Sequence, residues 1–239
     1  MTTYKKSYDL WKLALTFALL GILAGCSNDS VETTTPAPTT ARQLAPQEVE
    51  MLEVAAKGNN ARVKELLDKG VDVNMRGNDR NTPIMEAAYA GHLETVKLLL
   101  DHGADLSAKK NDGATPSGLA GRTKNVVELF KNVSGLVEAA SRGNTPMMKE
   151  LMDKGTPVNG LDEFGNSALT AASYSGKTDA VKLLLEKGAN PNIKKSDGET
   201  PLSLATAQKH AEIVALLNEA IAKQPKGTTP SAAEATPAK

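Results

Sequence analysis

A period of about 33 residues constrains the fold of this chain more than any other feature of its sequence. The steps from position 82 to 115, 167 to 200, 70 to 103 and 155 to 188 all have this same length. The residues that recur are Thr82, Thr115, Ser167 and Thr200 in one series and Gly70, Gly103, Gly155 and Gly188 in the other. A chain that repeats at this interval folds as stacked copies of one small unit.

Each unit is predicted to be a pair of helices. Thr82 followed by Pro83 predicts a capped helix start, because proline at the first helical position gives up an N–H that has no partner there. Gly91 supplies the tight turn to the second helix, whose apolar stripe covers residues 96–100. Gly103 ends that helix in a left-handed conformation. The residues after it form a hairpin-like connection to the next unit, here called a finger.

The segment over residues 81–105, NTPIMEAAYAGHLETVKLLLDHGAD, resembles the ankyrin repeat almost letter for letter. Its Thr-Pro, Ala-Ala, Gly-His and Gly-Ala pairs fall where that family places them. The resemblance extends over residues 47–222. It implies an all-α solenoid of about six helix–turn–helix repeats, whose atypical ends act as caps.

A second regularity indicates an internal duplication of three repeats. The shift that places Tyr89 on Tyr174 also places the Gly-Asn pair at residues 58–59 on the pair at 143–144. This shift is shorter than three full periods by almost half a period. We therefore expect the finger between the third and fourth repeats to be absent. A break in the array, as a kink or a change of curvature, is predicted near residues 131–135.

The N-terminal residues predict export and attachment to a membrane. Three lysines precede an apolar run over residues 13–23, which is too short to cross about 30 Å of bilayer and is typical of a secretory signal. The run ends in Leu-Ala-Gly-Cys at residues 23–26, which resembles the lipobox of bacterial lipoproteins. That resemblance implies cleavage after residue 25 and lipidation, including palmitate, at Cys26. A buried structural cysteine is the alternative.

This resemblance also divides the chain into segments. Residues 1–25 are read as the signal peptide, residues 26–46 as the lipidated cysteine with a flexible Thr/Pro-rich linker, and residues 223–239 as a disordered tail. Ser27 stands where aspartate is the usual inner-membrane retention signal of enteric-type bacteria. The sequence therefore favours an outer-membrane anchor that faces the periplasm over an inner-membrane one.

Composition argues against several classes of function. Without the leader's three lysines and one aspartate, 25 basic and 27 acidic residues remain, which gives no electrostatic reason to bind nucleic acid. We expect no metal site and no cofactor, because the three histidines do not have the spacing of metal ligands. His92 and His210 are interpreted as turn-packing residues, and His102 as a cation at a helix end. With no nucleophile–base pair in the repeats, neither an enzyme nor a small-molecule substrate is predicted.

Aromatic residues indicate where a protein partner binds. Ankyrin families hold partners on a concave face built from the finger tips and from variable positions before the helix–helix glycine. Tyr89 and Tyr174 occupy such variable positions, Phe164 lies at a finger tip, and Phe130 is assigned to the core. The same resemblance adds charged candidates at Arg76, Asp79, Arg80, Arg122, Arg142 and Glu163. Packing of the two tyrosines against neighbouring first helices is the alternative.

The function implied is recognition of a protein partner of unknown identity by a module tethered to the membrane through Cys26. Secreted bacterial ankyrin proteins similar to this chain include immunity proteins that neutralise a periplasm-acting toxin or lipase. Others are accessory or scaffold proteins for a secreted or stress-protective enzyme. Both alternatives stay open, because a fold alone does not choose among functions.

Overall fold

The structure, a computed structural model, describes residues 44–121 and 123–224. These residues contain eleven α-helices and no β-strand, as expected for an all-α fold. The helices are α1 (Pro46–Lys57), α2 (Asn60–Asp68), α3 (Pro83–Ala90), α4 (Leu93–Asp101), α5 (Pro116–Leu119), α6 (Lys124–Arg142), α7 (Thr145–Asp153), α8 (Ala168–Tyr174), α9 (Thr178–Glu186), α10 (Pro201–Ala207) and α11 (Ala211–Lys223).

Several sequence predictions concern residues outside the described part of the chain. They are the signal peptide at 1–25, the lipidation at Cys26, most of the linker and of the tail, and the partner-binding role of Arg122. Within residues 44–121 and 123–224, no helix combines the length and the apolar character that crossing a bilayer requires.

Four helix pairs turn through a glycine in the left-handed region of backbone space. Gly58, Gly91, Gly143 and Gly176 have φ values of 71°, 79°, 73° and 67°, which a residue without a Cβ adopts at no steric cost. The amide after each glycine bonds back to the helix, as His92 N–H does to the Ala87 carbonyl oxygen at 3.0 Å. These turns reverse the chain within two residues and bring each second helix back along the first.

Side chains cap three of the first helices. The side-chain oxygens of Thr115, Ser167 and Thr200 each accept a hydrogen bond from the amide three residues on. Thr82, predicted to do the same, makes no such bond, and its hydroxyl is buried without a partner among the described residues. The Met85 amide donates instead to the Thr82 carbonyl oxygen at 3.0 Å. The cap predicted at Thr82 is therefore wrong.

A single helix spans the junction where the sequence is too short for a full repeat. Helix α6 runs for 19 residues without a turn, and residues 131–135 lie inside it. Its first part buries Val126 and Phe130, and its last part buries Leu136 and Ala140. The missing length is thus accommodated by joining the second helix of one pair directly to the first helix of the next. The kink or change of curvature expected here stays a prediction.

Two apolar clusters meet at this helix. One extends from Met51 to Val133 and the other from Leu136 to Leu217. Both take side chains from α6, which is consistent with its amphipathic pattern over five turns. The boundary between the clusters falls at Ser134 and Gly135, and α6 therefore belongs to both halves of the core.

Fingers from the two halves are also hydrogen-bonded to each other. Leu106 N–H donates to the Leu161 carbonyl oxygen at 3.2 Å, and Leu161 N–H donates to the Ala104 carbonyl oxygen at 3.1 Å. They flank an isolated parallel β-bridge between Asp105 and Leu161. Ser196, from the next finger, donates its hydroxyl to the Asp105 carboxylate at 2.8 Å. The fingers thus provide a second connection between the two halves, in addition to α6.

Two histidines have the packing role that the sequence predicts. Nε2 of His92 lies 3.1 Å from the Ala56 carbonyl oxygen, and Nε2 of His210 lies 3.1 Å from that of Tyr174. A carbonyl oxygen only accepts, so Nε2 carries the proton in both rings. Each ring also covers the turn glycine of the preceding pair, where a Cβ would have no room. The third histidine, His102, is the C-cap residue of α4.

Candidate functional site

Four large apolar side chains are exposed within the described residues. Phe164 is 82% exposed, Tyr89 59%, Tyr174 54% and Met147 41%. The first three are those that the sequence assigns to partner binding, and more than half of each tyrosine is exposed. Met147 was not predicted. Rings are seldom left this exposed without a use, since they carry much of the binding energy where proteins associate.

The two tyrosines lie at corresponding places in their helices. Tyr89 is in the last turn of α3, and Tyr174 is the last residue of α8. The backbone at Tyr174 is held by the ring of His210 from the following helix pair. Its phenol therefore projects from a fixed helix end rather than from a loop.

Phe164 is presented by a tight turn at the tip of the finger between α7 and α8. The Asp162 carboxylate accepts hydrogen bonds from the amides of Phe164 and Asn166, both at 2.9 Å. Gly165 closes the turn with φ of 74°. Ser196 of the next finger packs against this glycine and leaves no room for a Cβ. The turn thus holds the phenylalanine ring in solvent on a rigid support.

Asp162 is an unusual carboxyl because it is buried beside the exposed ring. Burial raises its pKa above the ordinary value for aspartate, the bonds from Asn166 and Phe164 act in the opposite direction, and nearby Asp105 and Glu163 raise it further. The ionised carboxylate is therefore less favourable here than in water.

Replacing Asp162 by asparagine should make the stability of the fold less dependent on pH. Because the native pKa is raised, the carboxyl's stabilising contribution is fully present below its unfolded pKa of about 3.9 and is lost as pH rises through the native value. Asparagine keeps an oxygen that can accept both amide bonds. We expect the wild type to lose stability relative to Asp162→Asn between about pH 3 and pH 7, measured by urea unfolding.

Asp68 is exposed. The Asp68→Asn variant is therefore the matched control for the loss of one carboxyl. A difference between Asp162→Asn and the wild type that stays constant across this pH range would contradict the raised pKa.

A groove of about 750 Å³ lies beside Phe164. Its lining residues come from α5, from one face of α6, from the finger that carries Phe164 and from α8. They are Ser117, Val127, Phe130, Lys131, Ser134, Gly135, Val137, Glu138, Ser141, Asp162, Glu163, Phe164, Asn166 and Ala171. The α6 residues recur at three- and four-residue spacing and so form one continuous side of the helix.

The charged candidates are not all in one place. Asp79 and Arg80 are exposed on the first finger, and Arg80 has a left-handed φ of 58°. Arg76 is half-buried, and its Nη1 is buried without a hydrogen-bond partner among the described residues. Arg142 is exposed and forms an ion pair with Glu138 at 2.7 Å. An exposed pair of this kind contributes little to stability.

Of the predicted site residues, the structure brings only some to the groove. Phe164 and Glu163 line it, and Ser117 of α5 donates a hydrogen bond to the Glu163 carboxylate. Arg142 borders it through its partner Glu138. Tyr89 and Tyr174 are not among the lining residues. The roles of all these residues in binding stay predictions.

The α6 face of the groove was not predicted from the sequence. Val127, Lys131 and Ser134 were not singled out, and Phe130 was assigned to the core, where it is indeed 3% exposed. The available signal was the shortened spacing at the junction between the halves. A helix that continues where a finger is missing must leave part of its surface uncovered between the neighbouring pairs.

The described residues contain no group of three or more histidine, cysteine, aspartate or glutamate side chains arranged to hold a metal ion. The exposed rings and the groove both suit contact with another macromolecule.

Comparison with known proteins identifies the repeats. A family model described as ankyrin repeats (3 copies) matches residues 51–134 and again residues 136–228, together about three quarters of the chain. The gap between the two matches falls at Gly135, where the two apolar clusters also meet. No curated protein matches the chain.

Proposed function

Because the chain belongs to the ankyrin-repeat family, a family of interaction modules, we propose that it binds a protein partner through its exposed rings at Tyr89, Phe164 and Tyr174. The observation that carries this proposal is their exposure. Three of the four aromatic residues after the leader are more than half exposed, although each would gain about 150–250 Å² of burial in a contact.

The charged candidates then supply the surroundings of the contact. Arg76, Asp79 and Arg80 on the first finger, and Arg142 and Glu163 nearer the groove, set which partner surfaces are compatible. In this proposal the concave side of the array is the binding face. The energy of binding comes mainly from the rings, and the charges contribute selectivity and association rate.

We further propose that the array consists of two blocks of three repeats that share α6. The two three-copy matches and the two apolar clusters support this arrangement. The duplication provides two tyrosines at equivalent positions, at 89 and 174. A partner that contacts both blocks gains from two anchors on one framework.

Membrane attachment completes the proposal. The lipobox-like sequence ending at Cys26 supports a lipid anchor, with residues 27–46 as a spacer between the lipid and the repeats. In this arrangement the module faces the periplasm from the outer membrane. A partner could then be a resident envelope protein or a protein that enters from outside, as in the immunity alternative.

The test is capture of partners by the full-length chain in detergent extracts of the cell envelope. Wild type is compared with a Tyr89→Ala, Phe164→Ala, Tyr174→Ala variant and with Met147→Ala, which removes an exposed apolar side chain outside the proposed set. We expect a protein, identified by mass spectrometry, that wild type and Met147→Ala retain and the triple variant loses at least tenfold. Equal capture by the triple variant would contradict the proposed site.

A further inference from the structure

We propose that the groove beside Phe164 is a self-association surface, in which two copies of this chain exchange their Phe164 rings across a two-fold axis. The inference rests on the proposed function, because it names the partner for one part of the recognition surface. It starts from the fact that this surface carries both a projecting ring and a recess.

The Phe164 ring and the recess are complementary because both present apolar surface. Phe164 is 82% exposed and stands on a turn fixed by Asp162. Beside it, Val127, Val137 and Ala171 contribute apolar surface to the groove. A two-fold interface requires that one patch contain both complementary parts, so that each copy supplies the same contact to the other. The groove beside Phe164 meets this requirement.

Charge supports the same pairing. Lys131 lines the recess on α6 and is exposed, and no described carboxylate lies within ion-pair distance of it. Glu163 precedes Phe164 in the chain and is exposed, with one carboxylate oxygen accepting from Ser117. When a second copy's Phe164 enters the recess, its Glu163 must accompany it towards Lys131. The symmetry then forms this opposite-charge contact twice.

Other charged groups at the groove do not oppose this contact. Glu138 is paired with Arg142 at 2.7 Å, so its charge is already offset. Asp162 is buried beneath the finger tip and accepts two backbone bonds. A purely basic or purely acidic peptide would meet repulsion from either Lys131 or Glu163. A surface with one charge of each sign, which a second copy provides, meets none.

The first measurement is the association state of the full-length chain in a density-matched detergent, by sedimentation equilibrium from about 1 to 300 µM, the range of weak, small interfaces. We expect a monomer–dimer equilibrium in which Phe164→Ala weakens association at least tenfold. The Met147→Ala variant, which alters an exposed side chain outside the proposed binding residues, should leave it unchanged. A monomer at every concentration, or association that Phe164→Ala does not weaken, would overturn the inference.

Charge reversal provides the decisive test. Lys131→Glu alone places two like charges at each contact, and so does Glu163→Lys, so each variant should associate at least tenfold more weakly than wild type. An equimolar mixture of the two restores opposite charges at both contacts and should dimerise as wild type does. A mixture no stronger than either variant alone would overturn the two-fold geometry. Both residues are exposed, and thermal unfolding followed by circular dichroism checks that each variant is folded.

Failure of the self-association inference can be distinguished from failure of the proposed function. A chain that stays monomeric, while its triple aromatic variant still loses a captured protein, would overturn self-association and leave partner recognition intact. Dimerisation sensitive to Phe164 and Lys131, with capture that does not depend on the tyrosines, would support self-association and contradict the wider binding face.

Discussion

Replacing Gly135 by proline should lower the free energy of unfolding by about 3 kcal/mol or more. Gly135 lies inside α6, at the point where the two apolar clusters meet. Proline there removes the bond from the position-135 amide to the Lys131 carbonyl oxygen, and its ring clashes with that carbonyl. Because both clusters depend on α6, a kink moves buried side chains in each. Urea unfolding followed by circular dichroism measures the loss.

Gly135→Ala is the matched control, and it should act in the opposite direction. A Cβ at this position would meet Leu151 at 3.5 Å, an ordinary contact. Alanine is about 0.8–1.0 kcal/mol more favourable than glycine inside a helix, so this variant should be more stable than wild type. If proline were tolerated at position 135 without loss of stability, the chain would have a turn there, and the continuous helix would be wrong.

The second large effect is expected at Leu100, a buried residue of α4 that packs against a finger of the second half. Leu100→Ala should cost about 2–5 kcal/mol, the range found when a buried leucine is truncated and a cavity remains. Leu100 is fully buried and packs against Gly160, on the finger between α7 and α8. The measurement is again the free energy of unfolding in urea.

A double-mutant cycle with Gly160→Ala tests whether this contact joins the halves. A Cβ at position 160 would lie 3.0 Å from Leu100 Cδ2 and 3.3 Å from Val133 Cγ1, so alanine there should cost about 1–3 kcal/mol through overpacking. In the Leu100→Ala background the same change fills space rather than crowding it. We expect the double variant to be more stable than the sum of the single changes by at least about 0.5 kcal/mol. Strict additivity would mean that the two residues are not in contact.

Much of the architecture was predictable from the sequence because each repeat carries its own local signals. Gly91 was expected to make a tight turn and Gly103 to end a helix in the left-handed conformation, and their φ values are 79° and 86°. His92 and His210 were expected to pack at turns and do so. The exposure of Phe164 followed from its place at a finger tip. In each case the deciding interaction spans no more than one or two repeats.

What the sequence did not predict depends on contacts between distant repeats. The spacing at the junction showed that residues were missing, but it did not show that α6 would continue as one helix. The bridge between Asp105 and Leu161 joins fingers from different halves, and no local pattern marks it. The groove follows from both features together. The predicted cap at Thr82 is absent for a more local reason. The Met85 amide donates its hydrogen bond to the Thr82 carbonyl oxygen instead of to the Thr82 hydroxyl.

Sharing α6 between two clusters has a consequence for cooperativity. In a solenoid, each unit touches only its neighbours, so the array can lose order one unit at a time from its ends. Here the central helix contributes buried side chains to both halves of the core. Neither half can therefore unfold without exposing apolar surface of the other. The terminal helix pairs can fray singly, whereas the centre of the chain opens as one unit.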